Sequence, residues 1–176
     1  MPRAVNFVKE TMISESLKTS AKRVQDILDA YGLGLVVVEF PAQTRTAQQA
    51  ADAIGCELGQ IAKSLIFRGK KTRQPVFVIA SGKNRVDEKI IQEYVGEEIE
   101  KADAAFVLEQ TGFAIGGVPP VGHLKPIRPF IDEDLMSYAE IWAAAGTPFA
   151  VFKLRPSDLL KITDGRVISI QSNSGT

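Results

Sequence analysis

A single cysteine, Cys56, stands in a chain of 176 residues, so neither an intrachain disulfide nor a dithiol redox pair can be built from it. Histidine is equally scarce, with His123 alone. One histidine, one cysteine and dispersed carboxylates give no metal-ligand set, and neither a metal nor an organic cofactor is expected. Neither sign of charge is in excess, since 21 basic side chains balance 21 acidic ones. That balance argues against broad electrostatic capture of nucleic acid and leaves room for a local patch at one RNA end. Arg68, Lys70, Lys71, Arg73, Lys83 and Arg85 are the candidates for it, against the plainer reading of solvated hairpin and loop surface. Long apolar runs are missing as well. The opening stretch MPRAVNFVKETMISESLKTS alternates polar and apolar residues, so no secretory signal and no membrane span is expected, and cytoplasmic residence is the expectation. The chain also lacks a glycine-rich first βα turn followed by a ribose-binding acid, a Walker lysine motif and any internal repeat.

The length suits one sizeable core. Residues 1–15 read as a flexible extension, 16–170 as a single domain and 171–176 as a short tail. Val24, Ile27, Leu28 and Tyr31 recur at helical spacing after Ser20, a candidate cap, with Gly32 and Gly34 as the exit. Leu35 to Phe40 favours a strand, and Pro41 ends its pairing. Thr46 followed by Gln49 has the form of a capping box for a helix over Ala47 to Ile54, closed by Gly55. Ile61 to Arg68 and Val76 to Ala80 read as strands flanking a polar hairpin. Further helices are expected over Asp87 to Tyr94 and, capped by Asp103, over Ala104 to Gln110. Ile131 to Trp142 reads as strand then helix, Phe149 to Leu154 as a strand, and Pro156 as the start of a short helix before a last strand over Arg166 to Ile170. The mixture predicts a compact α+β domain with a mixed, curved β-sheet surrounded by helices.

Two features stand out against this frame. In IAKSLIFR, strand alternation puts Lys63 on the side shared by Ile61, Leu65 and Phe67, where a purely solvent-facing lysine is least expected. Ser64 is its neighbour, but adjacent strand residues point to opposite faces, so the two do not form a catalytic pair by position alone. The second feature is Gly116-Gly117-Val118-Pro119-Pro120-Val121-Gly122-His123. Glycine permits close main-chain approach and proline fixes φ, so this loop can hold backbone groups against a ligand; a rigid turn between packed elements fits the composition equally well. His123 can act as a base, or can be structural, since no local partner completes a triad. Asp132 and Asp134 read as an acidic turn rather than a cation site.

Lys63 in IAKSLIF, the GGVPPVG loop and the late stretch AAAGTPFAVFKLRPSDLLKIT, in that order, resemble the YbaK and prolyl-tRNA-synthetase-associated editing-domain family. The similarity runs from about Thr44 to Thr163. It implies a free-standing aminoacyl-tRNA deacylase that hydrolyses the ester of a mischarged amino acid on the terminal adenosine, with a substrate hydroxyl assisting water attack. Lys63 aligns with the family's lysine, and Gly116 to Pro120 fits its pattern of glycine, three residues, proline. By that resemblance Lys63, Gly116 and Gly117 are the catalytic candidates, and Thr44, Thr46, Val118, Pro119, Pro120 and His123 the substrate-binding ones. Thr46 equally serves as a plain helix cap. The implied partners are the acceptor end of a mischarged tRNA and an aminoacyl-tRNA synthetase, with no membrane. The alternative is a module that binds the RNA end or the aminoacyl group without hydrolysis.

Overall fold

The computed structural model describes residues 19–42, 44 and 46–172; the expected extension over 1–15 lies outside them. Helix α1 covers 19–29 and buries Ala21, Val24 and Leu28, one stripe at spacings of three and four. Ser20 lies inside this helix and so does not cap it. Strand β1 (Val37–Glu39) leads to α2 (Ala47–Ile54), whose start carries the reciprocal Thr46 and Gln49 bonds of a capping box and whose end is Gly55 at φ 80°. Strands β2 (Ile61–Gly69) and β3 (Pro75–Ser81) form an antiparallel hairpin. Helix α3 (Glu88–Val95), strand β4 (Ile99–Lys101) and helix α4 (Ala104–Thr111) follow, with Asp87 and Asp103 as side-chain caps. Strands β5 (Phe130–Asp132), β6 (Ile141–Ala144) and β7 (Ala150–Leu154), helix α5 (Pro156–Thr163) and strand β8 (Arg166–Ile168) complete the order.

Two elements depart from the sequence reading. Trp142 belongs to strand β6, because Glu133–Ser137 is a short 3-10 turn and no α-helix follows β5 there. Strand β4 was not foreseen, since its three residues gain their identity from pairing with β2 rather than from alternation of their own.

The strand order is β1-β7-β6-β2-β3-β5-β8, with β4 attached to β2 off this path. Pairings of β2 with β6, β3 with β5 and β5 with β8 are parallel, and the rest antiparallel, so the α+β fold with a central mixed sheet is as expected. One face carries Ala62, Ile66, Phe77, Ile79 and Ile131 against residues of α1, α4 and α5. The other carries Phe67, Val78 and Ala80 against Ile91 of α3. Each fully buried Phe, Ile or Leu contributes about 1.5–3 kcal/mol by leaving water, which is what fixes helices on both faces.

One irregularity in this sheet positions the site. Among the described residues β6 pairs with Ile61 and Ala62 of β2, and β4 with Phe67, Arg68 and Gly69. Between them, from Lys63 to Ile66, β2 has β3 on one side and no strand on the other. The Ile61 carbonyl bonds the β3 side through Gly82 N–H, and the Ile66 carbonyl accepts from Ala102 N–H on the opposite side. By alternation, the main chain of Ser64 faces the opening.

Candidate active site

A cleft fills that opening. It has two lobes of about 220 and 350 Å³ that share a waist of Lys63, Ser64, Leu65, Ile115, Gly116 and Val118. The smaller lobe adds Thr44, Thr46, Ala47, Ala50, Ile61, Trp142 and Val151, a wall of short side chains under one indole. The larger adds Phe67, Arg85, Val86, Glu88, Lys101 and Val107, apolar at its base with two cations at its side.

Lys63 lies on the same sheet face as Leu65 and Phe67, as alternation requires, and is half-buried. Desolvation holds its ammonium below the ordinary lysine range, and the negative charge of Asp132 opposes that shift. Across the waist Gly116 takes φ 94°, a conformation that glycine adopts without a Cβ penalty. Gly117 does not line the cleft. Its N–H bonds Ala114 O at 3.1 Å, its carbonyl accepts from Gly146 N–H at 2.9 Å, and a Cβ there would meet Thr147 N and Cα at 2.7 Å. The loop is therefore pressed backbone to backbone against the β6–β7 turn. Val118, Pro119 and Pro120 are buried, and of these Val118 reaches the waist. Thr44 donates its hydroxyl to Pro148 O at 2.7 Å while lining the small lobe, and the Thr46 hydroxyl is engaged in capping α2.

His123 stands apart. Its Nε2 lies 2.6 Å from Pro119 O, and because a carbonyl only accepts, Nε2 carries the proton. The ring packs edge-on to Phe77 at 4.9 Å and lines a separate depression with Tyr31 and Arg128, behind the loop. The structure thus sets His123 outside the two-lobed cleft, bonded to the main chain of the loop itself.

Half of the expected basic patch is also spent. Arg68 and Arg73 reach the Glu100 carboxylate at 2.7 and 3.4 Å, and Lys70 reaches Glu98 at 3.4 Å. Lys83 sits over the Tyr138 ring. Besides Lys63, Arg85 and Lys101 are the cations that border the cleft among the described residues.

The aminoacyl-tRNA editing domain model matches residues 41–162, a span that holds both lobes and the loop. The chain belongs to the aminoacyl-tRNA editing domain family. Similar proteins include "Uncharacterized protein YwhH" of Bacillus subtilis, 34% identical over 131 residues, which cover 74% of this chain and 83% of that one. A second is "Putative Cys-tRNA(Pro)/Cys-tRNA(Cys) deacylase EbsC" of Enterococcus faecalis, 29% identical over 71% of this chain and 76% of its own. Among solved structures, a "putative trans-editing enzyme for prolyl tRNA synthetase" superposes with a TM-score of 0.82 at 49% identity, covering 88% of this chain and 98% of the other.

Among the lining residues that sequence reasoning missed are Trp142, Ile115, Lys101 and Ser64. Ser64 had a signal, its place beside Lys63; its Oγ is buried and has no hydrogen-bond partner among the described residues. The others carry none, because their place depends on which strands flank β2.

The position of His123 gives a first expected outcome. Burial lowers its pKa below the ordinary 6.5, the Pro119 bond opposing in part. A depressed imidazole contributes stability that is full above the unfolded value of about 6.5 and is lost as pH falls toward the folded one. His123→Ala is expected to cost about 2 kcal/mol in urea unfolding at pH 7.5, through the lost bond and packing, and to flatten that acid slope. Turnover of the folded variant stays near wild type; a kinetic limb between pH 6 and 7 that vanishes with the histidine would contradict its placement.

Proposed function

We propose that the protein hydrolyses the ester of mischarged aminoacyl-tRNA, acting in trans on the acceptor end. The observation that carries this reading is the waist, where a half-buried lysine and a left-handed glycine meet over an unpaired stretch of main chain. An aminoacylated adenosine has two unlike ends joined by an ester, and the cleft has two unlike lobes joined at that waist. The acyl group occupies the small lobe of Thr44, Ala47, Ala50 and Trp142. The terminal nucleoside occupies the larger lobe, with Arg85 and Lys101 toward its phosphates.

In this reading Lys63 attracts the oxygen-rich end of the substrate, and main-chain amides of the Gly116 loop stabilise charge developing on the ester carbonyl. Water attacks the acyl carbon, the bond to the ribose oxygen breaks, and that oxygen leaves with a proton. Free amino acid and deacylated tRNA result, and a neighbouring ribose hydroxyl can relay the proton, so no protein nucleophile is needed. Among the described residues the small lobe has no charged side chain beyond the shared Lys63, which favours small uncharged acyl groups; such walls discriminate by about 1–3 kcal/mol per methylene.

A deacylation panel over alanyl, seryl, threonyl, cysteinyl and prolyl tRNAs tests the reading. Acceleration of at least one small acyl ester over its spontaneous loss is expected. Binding without turnover across the panel would favour the non-catalytic module instead. Arg85→Ala and Lys101→Ala are each expected to weaken tRNA binding and to reduce the salt dependence of log K by about 0.7, the value for one single-strand phosphate contact. Arg73→Ala, whose charge already faces Glu100, serves as the control with little change.

A further inference from the structure

We infer that Asp132 is a positioning residue for Lys63, holding its ammonium in the cleft from across Ala80 without pairing with it. The sheet register supplies the geometry. Lys63 stands opposite Ala80 on β3, and β3 pairs with β5 as Val78 to Phe130 and Ile79 to Ile131. Continuing that register by one residue sets Ala80 beside Asp132. The three residues thus form one row across three strands. They also share a face, since Phe67, Val78, Ala80 and Phe130 pack in one cluster and Lys63 and Asp132 alternate in phase with them. Two strand spacings of about 4.8 Å separate the ends of the row, within reach of a lysine stem, and Ala80 is its middle residue.

The Asp132 carboxylate is 1% exposed and already committed. One oxygen accepts from Ser81 N–H at 2.9 Å and from the Asn84 amide at 2.8 Å, and the other from Asp134 N–H at 3.0 Å. These bonds fix the charge in place and take three of the roughly four lone-pair sites of the carboxylate. Among the described residues Lys63 has no ion pair. It is attracted by Asp132 through space and remains free for a ligand. The same carboxylate anchors the Ser81 to Asn84 turn, which runs directly into Arg85 and Val86 on the wall of the larger lobe. One buried charge therefore sets both the lysine and the wall opposite it. The remaining charged groups around Lys63 are Arg85, Glu88 and Lys101 in the lobe, with Asp134 and Lys83 beyond Asp132.

This inference rests on Lys63 as the substrate-facing cation, and the lysine's own titration tests it without reference to turnover. Lys63 is followed by NMR in protein labelled at the lysine side chains, with its signal assigned through Lys63→Arg. Asp132→Asn, which keeps the volume and removes the charge, is expected to lower the Lys63 midpoint by about 1 pH unit. Asp132→Glu, which keeps the charge at some cost in Tm, is expected to hold the midpoint near wild type. Should Asp132→Asn give no folded protein, Asp132→Ser takes its place. In deacylation, the alkaline limb of kcat/KM is expected to move with the NMR midpoint and to be absent in Lys63→Arg. An unmoved midpoint in the neutral variants, or equal shifts in the neutral and Glu variants, overturns the inference. An NMR shift in a protein that deacylates nothing would sustain the Asp132 assignment and sink the hydrolase reading.

Discussion

Lys63→Ala is expected to lower turnover of the aminoacyl ester by about 10²-fold, the effect of removing one preorganised polar group from a reacting centre. The fold should survive the change. Lys63 is half-buried without an ion pair, and desolvation already opposes its charge, so alanine removes a group whose burial is itself unfavourable. Circular dichroism and Tm measured beside steady-state turnover separate the two effects. Near-normal turnover in a folded Lys63→Ala protein would remove the lysine from the mechanism; loss of fold would show that its stem is a packing element of the sheet.

Gly117→Val should be the most damaging single change in the loop, for a reason other than torsional strain. The left-handed glycine is Gly116, whereas Gly117 is constrained by the main chain pressed onto it. A Cβ would fall 2.7 Å from Thr147 N and Cα and 2.9 Å from the carbonyl carbon of Gly146. Neither neighbour is a flexible side chain that can swing aside. Overpacking of this kind costs about 3 kcal/mol, which in a chain of this length lowers Tm by about 10 °C. The Gly146 N–H bond to Gly117 O would open with it, moving Gly116 away from the waist, so turnover should fall as well. Because the first methyl makes the clash, Gly117→Ala should show most of the loss. A Gly117→Ala protein with wild-type Tm and activity would contradict this packing.

Local chemistry accounts for what could be read from the chain. The Thr46 and Gln49 box, the Asp103 cap and the alternation around Lys63 all depend on neighbours within a few residues, and each stands where expected. The site needed more. Its opening exists because β6 leaves β2 after Ala62 and β4 joins at Phe67, pairings between segments that lie 30 to 80 positions apart in the sequence. No periodicity in IAKSLIFR reveals which strands will flank it. His123 shows the same limit. Its place beside the loop suggested chemistry, but the Gly116 to Gly122 segment turns the ring toward Phe77 and the core behind. Trp142 was assigned to a helix because the acidic turn before it looks like a helix entry, and the Asp132 to Asp134 bond closes a 3-10 turn in its place.

The unpaired stretch of β2 makes the floor of the cleft out of main chain, and main chain is what substitution cannot alter. The walls are different material. In the proposed reading the acyl wall is drawn from Thr44, Thr46, Ala47, Ala50 and β6, and the nucleoside wall from Arg85, Val86, Glu88 and β4, with no residue in common. On that reading, exchanging Ala47 or Ala50 for larger residues should narrow the range of acyl groups without touching Arg85 and Lys101, and changing Lys101 should do the reverse. On the proposed reading, choice of amino acid and grip on tRNA would be separately adjustable over the shared waist, an arrangement under which one scaffold can be retuned for a new mischarging error in small, independent steps.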